Sequence, residues 1–158
     1  MPQTIDVDLI NPFIRSALNA LETMAFTKAK LGKPFLKASG EPHCDVSSSI
    51  GLSGKATGTV TINFDQDVAC KIISRMIGEQ ETEISATVMD GVGEISNMIA
   101  GGAKATMQDR GLDYSIALPT VTVGTGHCHR HPGDVACVVV PVLTDAGDLS
   151  IEIAIKTS

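Results

Sequence analysis

Aromatic residues are scarce in this chain: there is no tryptophan, one tyrosine and four phenylalanines, 3% in all. A core must therefore be assembled from Val, Ile, Leu, Met and Ala. Basic runs are missing too, and the formal net charge is -6. Nucleic acid and anionic membranes demand a basic face, so neither is expected as a partner. No apolar run is long enough to span a bilayer. The opening residues, MPQTIDVDLINPFIRSAL, are acidic early and lack the basic and apolar regions of a signal peptide, so a cytoplasmic location is expected. Cysteines 44, 70, 128 and 137 show no CxxC spacing. A reducing compartment would keep them as thiols acting as small apolar residues. GTGHC lacks the lysine and the following helix of a phosphate loop, and no nucleophile motif supports a Ser–His–Asp or Cys–His site.

What is present suits one domain spanning 1–158. The 158 residues are 43% hydrophobic, enough for a core without disulfides or a structural metal. Asn11 can cap a first helix with Pro12 at its first position, and Phe13, Ile14, Ala17, Leu18, Leu21, Met24 and Ala25 keep a helical period. Gly32 and Pro34 are expected to stop it. Val46, Ser48, Ile50 and Leu52 alternate, then Val60, Ile62 and Phe64, giving a strand–turn–strand unit around SGKA. A short helix is expected over 66–77, with Asp65 as cap and Val68, Ile72, Ile73 and Met76 inward. A long helix follows over about 83–110. YSIALPTVTV, DVACVVVPVL and DLSIEIAIKT read as strands, with LTDAGDL a hairpin turn. The class is α+β: a mainly antiparallel sheet with two long helices and one short helix packed on it. Helix, strands and hairpin occur twice in order, which hints at an internal duplication.

The long helix contains MDGVGEISNMIAGGAK, with glycines at 91, 93, 101 and 102. Each glycine costs a helix interior ~1 kcal/mol relative to alanine. On a helical wheel Ile84, Val88, Val92, Ile95, Ile99 and Ala103 form the core stripe, while Asp90, Glu94, Asn97 and Gly101 share the opposite side. Two readings stand at this point. The polar side can be solvated surface, with glycines serving close helix packing. Alternatively it can be a site on a rigid element, with Gly101 admitting another molecule.

DGVGEISNMIAGGA resembles the signature helix of the CheC/CheX/FliY chemotaxis phosphatases. That pattern has an Asp or Ser, a Glu four residues on, an Asn three further and a proline downstream. Asp90, Glu94 and Asn97 match it, and Pro119 in IALPTVTV stands in the proline's place. The NPFIRSALNALETMA helix, the GTVTINF strand and the closing hairpin extend the likeness to CheX-like members along the chain.

The resemblance implies a phosphatase acting on the aspartyl phosphate of a CheY-like response regulator. Asn97 would orient the attacking water and Glu94 would pair with the receiver's active-site lysine. Asp90, Gly101 and Pro119 would belong to the docking surface. The chain would bind no cofactor of its own, since the receiver holds the Mg²⁺. A homodimer through the sheets is implied as well. Some relatives carry a second motif on the first helix; here Leu18, Glu22 and Ala25 align with the trio, so one centre per chain is expected. A non-catalytic receiver-binding adapter is the alternative reading.

GTGHCHRHPGD is the other constellation. In an extended segment His127, His129 and His131 point one way and Cys128 the other. Imidazole and thiolate suit zinc or copper, and His43 and Cys44 can approach in the fold. Ligands two residues apart on one strand do not close a tetrahedron unaided, however. Gly124, Gly126, Pro132 and Gly133 mark a loop, so a solvated hairpin tip without metal is expected.

Overall fold

Alternation along the strands and the 3.6-residue stripe along the helices meet at one interface. The computed structural model describes residues 7–38, 42–129, 131 and 135–157. The first half contains α1 (Val7–Met24), β1 (Ala29–Leu31), β2 (Phe35–Leu36), β3 (Cys44–Gly54), β4 (Ala56–Phe64) and α2 (Gln66–Ile77). The second contains α3 (Ala86–Asp109), β5 (Tyr114–Ile116), β6 (Thr120–His127), β7 (Val138–Thr144) and β8 (Gly147–Thr157). Among the described residues the fold is α+β, with three helices and an eight-stranded antiparallel sheet in the order β1-β7-β8-β4-β3-β5. β2 also pairs with β7, and β6 with β3.

Register places the apolar rows. Ser48, Ile62, Ile151 and Val140 stand side by side across β3, β4, β8 and β7, as do Ile50, Val60, Ile153 and Val138. Their face packs on Phe13, Ala17 and Leu21 of α1 and Val92, Ile95 and Ile99 of α3, all buried. At the centre β4 pairs with β8; β3 and β7 flank them, and each flanking strand takes two strands from the other half. Each half thus runs helix, two strands, hairpin, in keeping with the repeat order read from the sequence.

Several boundaries differ from expectation. α1 already runs through Val7, so Pro12 lies inside the helix rather than at its first position. Proline has no N–H to give the carbonyl four residues back. That carbonyl belongs to Asp8, and it accepts from the Arg110 guanidinium at 3.4 Å. α1 stops at Met24, well before Gly32, because Phe26 adopts φ 51° and turns the chain. Ala29–Leu31 and Phe35–Leu36 then run as strands along β7. The expected strand over YSIALPTVTV splits into β5 and β6 around Pro119. Asp65 occupies the cap position of α2 but makes no side-chain cap; the Gln66 N–H donates instead to Asp45 Oδ2 at 2.9 Å. Pro132 and Gly133 lie outside the described residues. None of the described helices is long and apolar enough to cross a membrane.

Candidate functional site

The site is built on α3. Ser85 caps the helix by accepting from the Val88 N–H at 3.3 Å, satisfying one of the donors that a helix start leaves open. Val88, Val92, Ile95, Ile99 and Ala103 are buried as the wheel required, and Asp90, Glu94, Asn97 and Gly101 are exposed together. Among the described residues, none bonds to the side chains of Asp90, Glu94 or Asn97. Glu94 and Asn97 project one turn apart from a helix clamped by its own core on the opposite side.

The four glycines divide. A Cβ on Gly91 would stand 2.8 Å from Ile73 of α2. One on Gly102 would overlap Ser16 Oγ of α1 and sit 3.2 Å from its Cβ. One on Gly93 would stand 3.5 Å from Val121 and 3.9 Å from Pro119. Gly91 and Gly102 thus serve close helix packing, whereas a Cβ at Gly93 would make only ordinary contacts. Gly101 alone of the four faces open space, with nothing within 4 Å of a Cβ placed there.

Pro119 is half-buried against the Gly93 turn and thus borders the exposed trio. Beside it Leu118 is 86% exposed, a large apolar side chain at the rim of a polar site. No periodic pattern in the sequence marks Leu118. Its only signal was an apolar residue placed where Pro119 breaks the strand. On α1 the aligned positions differ from the trio: Glu22 is exposed, but Ala25 lies past the helix end and is fully buried. No second amide is presented there.

The histidines are not at a solvated tip. Their rings lie against the sheet face opposite the helices. Ser47 Oγ lies 2.8 Å from His127 Nε2 and also contacts His129 Nε2. Thr59 Oγ1 is 2.7 Å from His131 Nδ1. All three rings thus point to one side, as the spacing required. Cys44 Sγ is 3.4 Å from His127 Nε2, while His43 stays exposed with Nδ1 2.9 Å from the Gly126 carbonyl.

At the centre of this face stands Glu152, fully buried and bonded to Lys37, to His131 at 3.0 Å and to Asn63 at 2.6 Å. Burial acts to raise the Glu152 carboxyl, but hydrogen bonds from His131, Lys37 and Asn63 outweigh it and hold its pKa below the ordinary range. Burial lowers the His129 pKa. These contacts join β4, β8 and two connecting segments, so no local pattern announced them.

Comparison with known proteins adds to this geometry. The family described as chemotaxis phosphatase CheX matches residues 46–143. The chain is 23% identical over 154 residues to the CheY-P phosphatase CheX of Thermotoga maritima, covering 97% of this chain and 99% of that one. It superposes on the chemotaxis protein CheX of Vibrio vulnificus with a TM-score of 0.89 at 37% identity, covering 94% and 99% of the two chains. It is also similar to a chain of the CheX–CheY–BeF3–Mg²⁺ complex of Borrelia burgdorferi, with a TM-score of 0.82, 26% identity and coverage of 96% and 99%.

Proposed function

This chain belongs to the CheX family of chemotaxis phosphatases, and from that premise we propose that it hydrolyses the aspartyl phosphate of a CheY-like response regulator, using Glu94 and Asn97. The observation that carries the assignment of residues is the exposed pair on α3, one turn apart and bonded to nothing else described. Two of the family proteins it resembles are named for CheY: one as a CheY-P phosphatase, the other in complex with CheY.

An acyl phosphate is labile, and in-line attack by water needs positioning more than a protein nucleophile. The Asn97 carboxamide suits this task. Its oxygen accepts from the water while its N–H donates to a phosphoryl oxygen. Glu94 pairs with a receiver lysine and so fixes the register in which the amide enters. Asp90, Gly101 and Pro119 form the border of the docked surface. The chain needs no cofactor of its own, because Mg²⁺ in the receiver offsets charge on the phosphoryl group. With Ala25 buried where α1 would need an amide, one centre per chain is the consistent reading.

A cytoplasmic location follows from a receiver as partner. A homodimer through the sheet belongs to the same proposal, supported by β6, whose outer edge pairs with no described strand. Sedimentation analysis at micromolar concentration tests the dimer.

The deciding experiment is the decay of a phosphorylated CheY-like receiver in Mg²⁺ with and without the protein. Asn97→Ala should lose roughly 100-fold of the acceleration, a usual loss for a positioned polar group, with no loss of thermal stability because the side chain is exposed and bonded to no described residue. Tight binding to the phosphorylated receiver with an unaltered phosphate lifetime in the parent protein would instead establish the adapter reading.

A further inference from the structure

Among the described residues, one group of three metal-ligating side chains converges, and it lies on the sheet face away from α3. We propose that His131, Cys137 and Glu152 form a zinc site, in which the ion ties the segment after β6 to the start of β7 and the middle of β8. The candidate ligand atoms all lie within 4.8 Å of one another. Zinc bonds of about 2.0–2.3 Å set tetrahedral ligand separations of roughly 3.3–3.8 Å, so a small contraction closes the site.

The donor set suits zinc. Neutral imidazole, carboxylate and thiolate supply nitrogen, oxygen and sulfur with two negative charges against the ion's two positive ones. Glu152 is fully buried and the His131 side chain is 6% exposed, so the carboxylate requires a cation at hand.

The surroundings hold the ligands for this purpose. Thr59 Oγ1 stands 2.7 Å from His131 Nδ1, which turns Nε2 to Glu152 Oε1 at 3.0 Å. Asn63 donates to the other carboxylate oxygen at 2.6 Å, leaving Oε1 on the converging side. The Lys37 N–H donates to the Cys137 carbonyl at 2.9 Å and fixes the backbone there. Outer contacts of this kind orient metal ligands.

Without metal, the Lys37 ammonium takes the cation's place, bonding both Glu152 Oε1 and the His129 carbonyl. Zinc displaces it from Oε1, and the fourth position stays open to water. The Cys137 thiol gives up its proton as the zinc–sulfur bond forms. Uptake therefore releases one proton to solvent and strengthens as pH rises.

The test is titration of the full-length, tag-free chain with Co²⁺ as the absorbing stand-in, then displacement by Zn²⁺. One equivalent should bind with a thiolate-to-cobalt charge-transfer band that zinc removes. Cys137→Ser should lose the band, and Cys44→Ser, on the same face, should keep it. Thr59→Val should weaken affinity by roughly 10-fold, and Lys37→Met should tighten it. Thermal unfolding in chelator checks that each variant folds, and His131→Asn serves if Cys137→Ser does not. Absence of stoichiometric binding overturns the proposal, as does a band that survives Cys137→Ser or that Cys44→Ser abolishes.

Discussion

Two adjacent glycines on α3 should respond oppositely to the same methyl group. At Gly101 a Cβ meets nothing within 4 Å, so Gly101→Ala adds helix propensity alone. The gain is ~1 kcal/mol, or about 2–4 °C in Tm for a chain of this size. At Gly102 the same Cβ overlaps Ser16 Oγ and stands 3.2 Å from Ser16 Cβ. The hydroxyl must rotate away, which breaks its 3.2 Å bond to the Met98 carbonyl. A lost hydrogen bond costs ~1 kcal/mol and overpacking a further 1–3 kcal/mol or so. Against a propensity gain of ~1 kcal/mol, Gly102→Ala is destabilising by about 1–3 kcal/mol. Ser16→Ala removes the overlapping oxygen, so the double variant Ser16→Ala/Gly102→Ala should recover roughly 1 kcal/mol relative to additivity. Thermal unfolding by circular dichroism reads all four chains. Receiver dephosphorylation then separates stability from docking. Gly101→Ala should be more stable yet slower, because the methyl group holds the receiver off the Asn97 amide, and a displacement near 1 Å can cost ~100-fold. A lower Tm for Gly101→Ala would show that its face is not open, and an unchanged rate in Gly101→Leu would remove Gly101 from the docking surface.

Ser85→Ala removes the α3 cap and should lower stability by ~1 kcal/mol, read as a fall of about 2–4 °C in Tm, with the Asn97-dependent rate per folded molecule preserved. Acid should destabilise the fold in two stages. His129 has a lowered folded pKa, so its contribution is complete above the ordinary value of 6.5 and is lost as pH falls below it. Glu152 is also lowered, so its share disappears as pH falls below the ordinary value of 4.5 and through its folded pKa. A Tm–pH profile should therefore decline from near neutrality, and His129→Gln should remove the first part of the decline while leaving the second. Glu94→Ala should weaken receiver affinity more than it slows turnover of the bound complex, measured by single-turnover decay at saturating protein.

The elements that sequence made legible are those whose contacts repeat along the chain. α3 carried its stripe through Val88, Val92, Ile95, Ile99 and Ala103, and each of these is buried. β8 alternated cleanly, and its Leu149, Ile151 and Ile153 face the helices. The ends of α1 were misplaced because their causes are not periodic. Arg110 compensates for Pro12 from a hundred residues away, and a left-handed Phe26 stops the helix with no glycine to mark it. The break at Pro119 is visible as a residue but not as a break, since a proline inside a β pattern can also sit at an edge.

The two polar constellations differ in legibility for the same reason. Asp90, Glu94 and Asn97 lie within eight residues on one helix, so a rigid 3.6-residue period is enough to bring them to one side. Glu152 draws its partners from residues 37, 63 and 131, on elements that only sheet register places in contact. Alternation gave Glu152 a face but not the fact that the face is covered. A strand pattern of Ser47, Ser49, Thr61, Asn63 and Ser150 reads as solvent-facing whether or not a segment folds over it. The glycines teach the converse. Their spacing places Gly101 on the polar side, yet whether Gly91 and Gly102 mark a partner or a neighbour depends on Ile73 and Ser16, which belong to other helices. A site on one helix can thus be found from sequence, while the surface available around it is decided by packing between elements.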